Sequence, residues 1–281
     1  MPTVDEKRRT FRRLHESGCF MMPNPWDVGT ACYLQHLGFP ALATTSAGAA
    51  FAMGKPDSDR AVSADAMLEH IGLLVDATDV PINADFGSGY ANDPAGVAAQ
   101  VRRCIATGVA GLSIEDSTGD AEEPLFAVAV AVERVRAARA AIDEARADVV
   151  LTARAECLFA GRPDVDEAVG RLRAYADAGA DCLYAPGIAT AEQITAVVAA
   201  VAPKPVNVLV GATPLTVNDL TTMGVRRVSV GSGLARVAWA GFLSASELMA
   251  REGRFDGLVG ATPGGRLNRF FEQDLRRRES R

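Results

Sequence analysis

The sequence predicts an α/β fold, a single (β/α)8 TIM barrel, and three observations carry the prediction. A helix–glycine–strand unit recurs along the chain, the strands in it are apolar along their whole length, and they number eight. Phe20–Asn24 reads as the opening strand. The recurring unit follows as LQHLG-FPALATTS at Gly38, CIATG-VAGLSIED at Gly108, AYADAG-ADCLYAP at Gly179 and LTTMG-VRRVSVGS at Gly224. Each glycine stands where a helix needs a left-handed cap before an apolar run begins. Val80–Asp85, Val149–Arg154 and Pro205–Val210 complete the set.

The intervening segments read as helices. Asp164–Ala178 places Val165, Ala168, Val169, Leu172 and Tyr175 at helical spacing, with acids early and arginines later. Pro94–Thr107 and Phe126–Glu144 have the same character. Strands apolar on both faces and separated by helices imply a parallel sheet covered on its outside. An open doubly wound sheet would carry a GxGxxG turn after its first strand, and none is there. We therefore expect one domain over residues 1–281. It includes a helical extension over about 234–281, with VAWAGFLSASELMAREG leading to a final helix near Leu267–Arg278.

Composition narrows the function. With 48% hydrophobic and 23% charged residues, the 281-residue chain can bury a large core under a solvated surface. A formal charge of −6 disfavours nucleic acid or an anionic membrane as partner. The basic run Arg276, Arg277, Arg278 and Arg281 reads as a solvated tail. Cys19, Cys32, Cys104, Cys157 and Cys182 show no CxxC spacing, which suggests free thiols in a reducing compartment. The amino terminus lacks a signal-peptide core, and no apolar stretch approaches the roughly 20 residues of a membrane span. The expected location is cytoplasmic.

Barrel enzymes place their chemistry at the C-terminal ends of the strands. Those ends supply Asn24 and Asp27, Ser46 and Gly48, Asp85, Glu115 and Asp116, Arg154 and Glu156, Pro186, Asn207, and Gly231-Ser232-Gly233. The set is rich in carboxylates, holds one guanidinium and contains no histidine. His15, His36 and His70 all fall in helical segments, so a Ser-His-Asp arrangement has no candidate. Cys157 has only Arg154 at hand to lower its thiol pKa. The Gly231–Gly233 turn could cradle an anion or simply be tight.

Asp85 and Glu115 end successive strands and can reach one point. Two purposes suit them: holding a hard divalent cation through oxygen ligands, or general acid/base work. Arg154, one strand further on, can fork onto a substrate carboxylate. A cation and an arginine together suit a small 2-oxo or 2-hydroxy acid, whose cleavage leaves an enolate to be stabilised. The competing arrangement is an Asp85–Arg154 or Glu115–Arg154 ion pair sealing the barrel top.

The segments MPNPWDVGTA (22–31), TTSAGAAFAMGKPD (44–57), PINADFGSGYANDP (81–94), GLSIEDSTGD (111–120), LTARAE (151–156) and VNVLV (206–210) resemble, in order and spacing, the isocitrate lyase/phosphoenolpyruvate mutase superfamily. The resemblance implies a barrel whose last helix is swapped between subunits of a homodimer or homotetramer. It implies Mg2+, with Mn2+ as the alternative ion, held by Asp85 and Glu115. Ser46, Ala47 and Gly48 would hold the carboxylate and oxo end of the substrate. Asp57 would be the acid near the reacting centre, and Arg154 would bind substrate. Trp26 and Asp27 would line the pocket, with Asn207 on its floor.

Two departures shape the expected reaction. The family's metal motif usually has a second acid two residues after the first, and here Gly87 stands in that place. The loop after the fourth strand reads STGDAEEPLF, without the Lys-x-Cys-Gly-His of isocitrate-type lyases or the lysine of the phosphonate branch. Its Asp120, Glu122 and Glu123 would repel a highly charged phosphonate. The expected function is a Mg2+-dependent lyase that cleaves a C–C bond of a small 2-oxo or 2-hydroxy acid through a pyruvate-type enolate, with a decarboxylase included. The alternatives are a phosphonomutase or phosphonopyruvate hydrolase, and a catalytically inactive barrel serving as a binding subunit.

Overall fold

The computed structural model describes residues 2–211 and 213–279. The strands are β1 (Phe20–Met21), β2 (Leu42–Ala43), β3 (Ile82–Asp85), β4 (Gly111–Glu115), β5 (Val150–Arg154), β6 (Cys182–Tyr184), β7 (Val206–Leu209) and β8 (Arg227–Ser229). All pairings are parallel, in the order β1-β8-β7-β6-β5-β4-β3-β2. The two ends of that order meet. Ala43 N–H donates to Pro23 O at 3.1 Å, and Asn24 Nδ2 donates to Thr44 O at 2.8 Å. The sheet is thus curled into the expected barrel, with no open edge left to pair elsewhere.

Helices follow the strands as the pattern predicts. They are α1 (Val4–Leu14), α2 (Val28–His36), α3 (Ser46–Ala52), α4 (Ala64–Ala77), α5 (Pro94–Ala106), α6 (Val128–Glu144), α7 (Val165–Asp177), α8 (Ala191–Val201), α9 (Val217–Thr222), α10 (Gly233–Glu252) and α11 (Gly264–Glu279). Helix α7 shows why the local sequence works. The Asp164 side chain accepts from the N–H groups of Asp166 and Glu167, acids occupy the first turn, and Ala168, Leu172 and Tyr175 are buried. Gly38, Gly108, Gly179 and Gly224 all have positive φ, between 82° and 103°, as helix-ending glycines should.

Strands β1 and β2 are only two residues long, shorter than the sequence suggests. The physical reason for β2 is a competing cap. Thr45 turns out of the strand so that its side chain accepts from Gly48 N–H, which starts α3 directly after the barrel wall.

Ile82, Leu112, Leu151, Leu183, Val206 and Val228 are each at most 2% exposed. Each buried side chain of this size contributes about 1.5–3 kcal/mol. One arginine shares this interior. Arg227 is 2% exposed, donating from Nε to Asn207 Oδ1 at 2.8 Å and from Nη2 to Thr152 Oγ1 at 3.0 Å. Beside it His15 is pushed down to about 3, first by burial and then by the Arg227 charge. His15 is therefore a neutral packing residue.

The extension behaves differently from the barrel. Of α10 only Ala235 is buried, while Val237 is 72% and Phe242 60% exposed. Helix α11 then returns to α2 of the same chain, where the Phe270 ring meets Tyr33 at 5.1 Å and His36 at 5.2 Å. Arg277 reaches Asp79 and Asp274 from the basic run, so that run is half anchored and not merely solvated. Arg281 lies outside the described residues.

Candidate active site

The site lies where the strand ends converge. Parallel pairing sets Glu115, Arg154, Tyr184 and Asn207 in one register across β4 to β7. Arg154 is the hub. Its Nη1 lies 2.7 Å from Asp85 Oδ1 and 2.8 Å from Glu115 Oε1, and its Nε lies 2.7 Å from Glu156 Oε1. Its guanidinium stacks over the Tyr184 ring, 4.9 Å from the centroid. Its third nitrogen, Nη2, has no hydrogen-bond partner among the described residues, and Arg154 lines the central cavity.

The remaining carboxylate oxygens are also held. Asp85 Oδ2 accepts from Ser46 N–H at 2.9 Å, and Glu115 Oε2 from Ser117 Oγ at 2.9 Å. Behind the hub, Asp116 Oδ1 accepts from Glu156 N–H at 2.8 Å. Asp116 Oδ2 accepts from Arg171 Nη1 at 3.0 Å and from the Tyr175 hydroxyl at 2.5 Å. Asp116 is thus a brace for Glu156, and through it for Arg154.

Three carboxylates share one guanidinium, and the protonation of the site reflects it. Burial pushes Glu115 up to about 8, and Arg154 draws it back only in part because Glu156 and Asp85 act in the opposite sense. Glu156 is raised by burial too. Asp57, on an outer loop, is raised by desolvation against the cavity wall and then by Asp85. A carboxyl held above its ordinary range can donate a proton at neutral pH. Cys157 is pushed the wrong way for a nucleophile, to about 11, by burial and Asp116.

Two spaces that share wall residues border this cluster. A cavity of about 150 Å3 runs down the barrel past Ser46, Ala47, Asp57, Asp85, Arg154 and Asn207 to Arg227. A wider cleft of about 600 Å3 is bordered by Ser46, Asp57, Asp59, Gly87, Glu115 and Ser117. Ser46 and Asp57 belong to both walls.

Most of the expected site residues meet here, and several do not. Gly48 turns inward, its N–H spent on Thr45 Oγ1 at 3.2 Å, and it lines neither space. A Cβ at Gly48 would lie 2.9 Å from the Trp26 Cβ, so its smallness serves packing. Trp26 and Asp27 lie away from the cavity, against an apolar groove with Tyr33, Leu234 and Phe270. Asp27 is the N-cap of α2, accepting from Thr30 N–H at 2.7 Å. Asn207 does line the cavity floor, with its amide committed to Ser229 and Arg227. In the Gly231–Gly233 turn, Gly231 N–H donates to Asn24 Oδ1 and Gly233 N–H to Val230 O, and Gly231 and Ser232 line the central cavity.

The loop after β4 forms a small hairpin, with Ser117 bridged to Leu125 and Thr118 N–H donating to Pro124 O at 3.0 Å. Asp120, Glu122 and Glu123 are exposed, and Asp120 faces Arg60 at 4.0 Å. They contribute little field to the cavity. Sequence reading missed Tyr184, Phe159 and Asp59. Tyr184 had a usable signal, an aromatic at a strand end in register with Arg154; a loop residue such as Asp59 had none.

The donor set suits a divalent cation. Asp85 and Glu115 converge within hydrogen-bonding distance of the same atom, so both can address one point. Asp57 borders both spaces and Asp59 the wider cleft, and carboxylates outnumber cations, which is chemistry that suits a hard ion. Among the described residues no three His, Cys, Asp or Glu side chains stand at metal-holding spacing. Mg2+ does not need three, because it keeps several waters and uses one or two carboxylates. The residues fit such an ion.

Comparison with known proteins agrees with this geometry. The family profile described as phosphoenolpyruvate phosphomutase matches residues 11–250. A Burkholderia cenocepacia J2315 protein, assigned provisionally as a lyase/mutase, has a structure of TM-score 0.90 at 46% identity, covering 95% of this chain and 96% of that one. The structure of oxaloacetate acetylhydrolase in complex with the product oxalate gives a TM-score of 0.86 at 29% identity, covering 100% and 99%. An oxaloacetate decarboxylase of Bradyrhizobium sp. strain BTAi1 is 28% identical over 79% of this chain and 76% of its own.

Proposed function

The chain belongs to the phosphoenolpyruvate mutase/isocitrate lyase superfamily, and from that premise we propose that it is a Mg2+-dependent lyase for a small 2-oxo or 2-hydroxy acid. The bond cleaved is C–C and the product a pyruvate-type enolate, as in decarboxylation of oxaloacetate. The observation that carries the reading is the Arg154 hub: two strand-end carboxylates meet at one point beside a cavity-lining guanidinium whose Nη2 has no partner among the described residues.

Each residue then has a task. Arg154 Nη2 donates to the substrate carboxylate, while Glu156 and the Tyr184 ring fix the plane of the guanidinium. Ser46 N–H and Arg154 orient Asp85, and Ser117 orients Glu115. Asp85 and Glu115 would hold the cation, with Arg154 moving off them toward substrate. A divalent cation there would supply Lewis-acid polarisation of the oxo group. When the bond from the carbon next to the oxo carbon to the departing carboxylate breaks, its electron pair passes into the enolate and CO2 leaves. Asp57, whose carboxyl is raised by desolvation and by Asp85, is then the acid that gives a proton to the enolate carbon.

The relatives named oxaloacetate decarboxylase and oxaloacetate acetylhydrolase support this branch of the superfamily. The lid also favours it, since STGDAEEPLF brings neither a cysteine nor a lysine to the mouth. The same reading makes the protein a homo-oligomer, because Val237, Trp239, Phe242 and Leu243 leave α10 with an apolar surface that another copy would cover. Among the described residues no helix is long and apolar enough to cross a membrane.

The test is pyruvate release from oxaloacetate, 2-methylmalate-type hydroxy acids, methylisocitrate and phosphonopyruvate, with Mg2+, with EDTA, and with Asp85→Ala. The proposal expects Mg2+-dependent release from a carboxylic acid, lost by a factor of about 10² or more in the variant. Release from phosphonopyruvate alone would move the protein to C–P chemistry.

A further inference from the structure

Residue 87 carries no side chain, yet the space beside it holds a carboxylate. Gly87 follows Asp85 by two residues and has φ of 52°, in the left-handed region. A Cβ built on it would lie 2.6 Å from Asp59 Oδ1. That separation is close to the one between an aspartate's own Cβ and its carboxylate oxygens. Asp59 therefore puts an oxygen within the reach of an acid at position 87, and the two side chains exclude one another.

The placement is anchored. Asp59 Oδ2 accepts from Ser88 N–H at 3.2 Å and from the Ser88 hydroxyl. Oδ1 has no hydrogen-bond partner among the described residues, and Asp59 borders the same cleft as Asp57 and Glu115. The turn that holds it is tied to the hub, because Glu115 N–H donates to Gly87 O at 2.9 Å. Backbone, turn and carboxylate thus form one unit joining the ends of β3 and β4. Nothing in the packing requires this acid: Asp59 has no ion-pair partner among the described residues, and its bonds to Ser88 need only one oxygen.

We propose that Asp59 is the second acid of the cation site, supplying from the loop after α3 the carboxylate that Gly87 lacks, with its free Oδ1 turned to the ion's water shell, since no three acids stand at direct-ligand spacing among the described residues. The proposal rests on the metal-dependent reading above and deepens it. Glycine at position 87 is then a consequence of Asp59, and the site has kept its charge while moving one donor to a different loop.

The experiment measures Mn2+ binding to the folded protein by electron paramagnetic resonance, for wild type, Asp59→Asn, Gly87→Asp and the double variant Asp59→Gly/Gly87→Asp. Circular dichroism checks that each is folded. Asparagine keeps an oxygen for the Ser88 N–H and removes the charge, which separates a ligand from a brace. The expected result is about 10-fold or greater weakening in Asp59→Asn. The double variant recovers to near the wild-type value, although Gly87→Asp alone does not improve on it, a non-additivity that reports direct coupling. Wild-type binding that Asp59→Asn leaves unchanged overturns the proposal and spares the metal reading. A double variant that binds no better than Asp59→Asn also overturns it. Failure of the wild-type protein to bind Mn2+ overturns both.

Discussion

Two clusters of buried charge sit side by side at the top of this barrel, and they are built to opposite rules. Around Arg171, charge and hydrogen bonding close: Asp116 and Glu167 face Arg171 and Arg162, and both oxygens of Asp116 are taken by Glu156 N–H, Arg171 and Tyr175. Around Arg154 they do not: Asp85, Glu115 and Glu156 share one guanidinium, with Asp57 and Asp59 at the same mouth. A buried cluster that closes is a structural brace. One that keeps surplus negative charge beside a cavity is unfinished without a cation and a substrate. The difference between the two, less than the presence of acids at a barrel mouth, marks the candidate active site.

The contrast makes its largest prediction for the closed cluster. Asp116→Ala leaves the Arg171 guanidinium and the Tyr175 hydroxyl without their buried partner. Loss of one member of a buried pair costs about 3–5 kcal/mol. Urea denaturation should show that loss, and a variant as stable as wild type would remove Asp116 from its bracing role.

The open cluster should respond in the opposite direction. Glu115 is held near 8 in the folded protein, against 4.5 for the ordinary group, so the native state binds the proton more tightly than the unfolded chain. Stability from that proton is fully present below about 4.5 and is lost as pH rises through about 8. Glu115→Gln removes the dependence. In metal-free buffer the variant should gain on wild type between pH 5 and pH 8, by about 2–4 °C in melting temperature, the shift that about 1 kcal/mol gives a chain of this size. A gain that did not grow toward pH 8 would mean that Arg154 keeps Glu115 ionised.

The smallest effect belongs to the lid. Asp120, Glu122 and Glu123 are exposed, so their joint replacement by Asn and Gln should change stability by no more than about 0.5 kcal/mol. KM for the carboxylic acid substrate should stay within about twofold. A large fall in KM would restore the electrostatic role that the sequence suggests for them.

How much of this was legible in the sequence follows from the range of the forces involved. The barrel was, because a glycine cap and an apolar run are local signals and recur at Gly38, Gly108, Gly179 and Gly224. Asp85, Glu115 and Arg154 were legible because strand ends in a parallel barrel must converge. Trp26 and Asp27 were misplaced because a strand-end position does not say which way the following turn carries its side chains; the N-cap bond of Asp27 to Thr30 decided that. The bonds from the Val230 and Gly231 amides to Asn24 were not readable because Asn24 lies on the far side of the sequence. Asp59 was invisible for the same reason. Its meaning depends on a steric relation to Gly87 across a loop, which no periodicity records.

The most direct measurement is calorimetric titration of oxalate, an enolate mimic, into wild type and Asp85→Ala with and without Mg2+. If the Arg154 cluster is completed by a cation and an acid together, oxalate binds wild type with Mg2+, binds far more weakly in EDTA, and does not bind the variant. Equal binding with and without Mg2+, or none in any condition, would contradict the account.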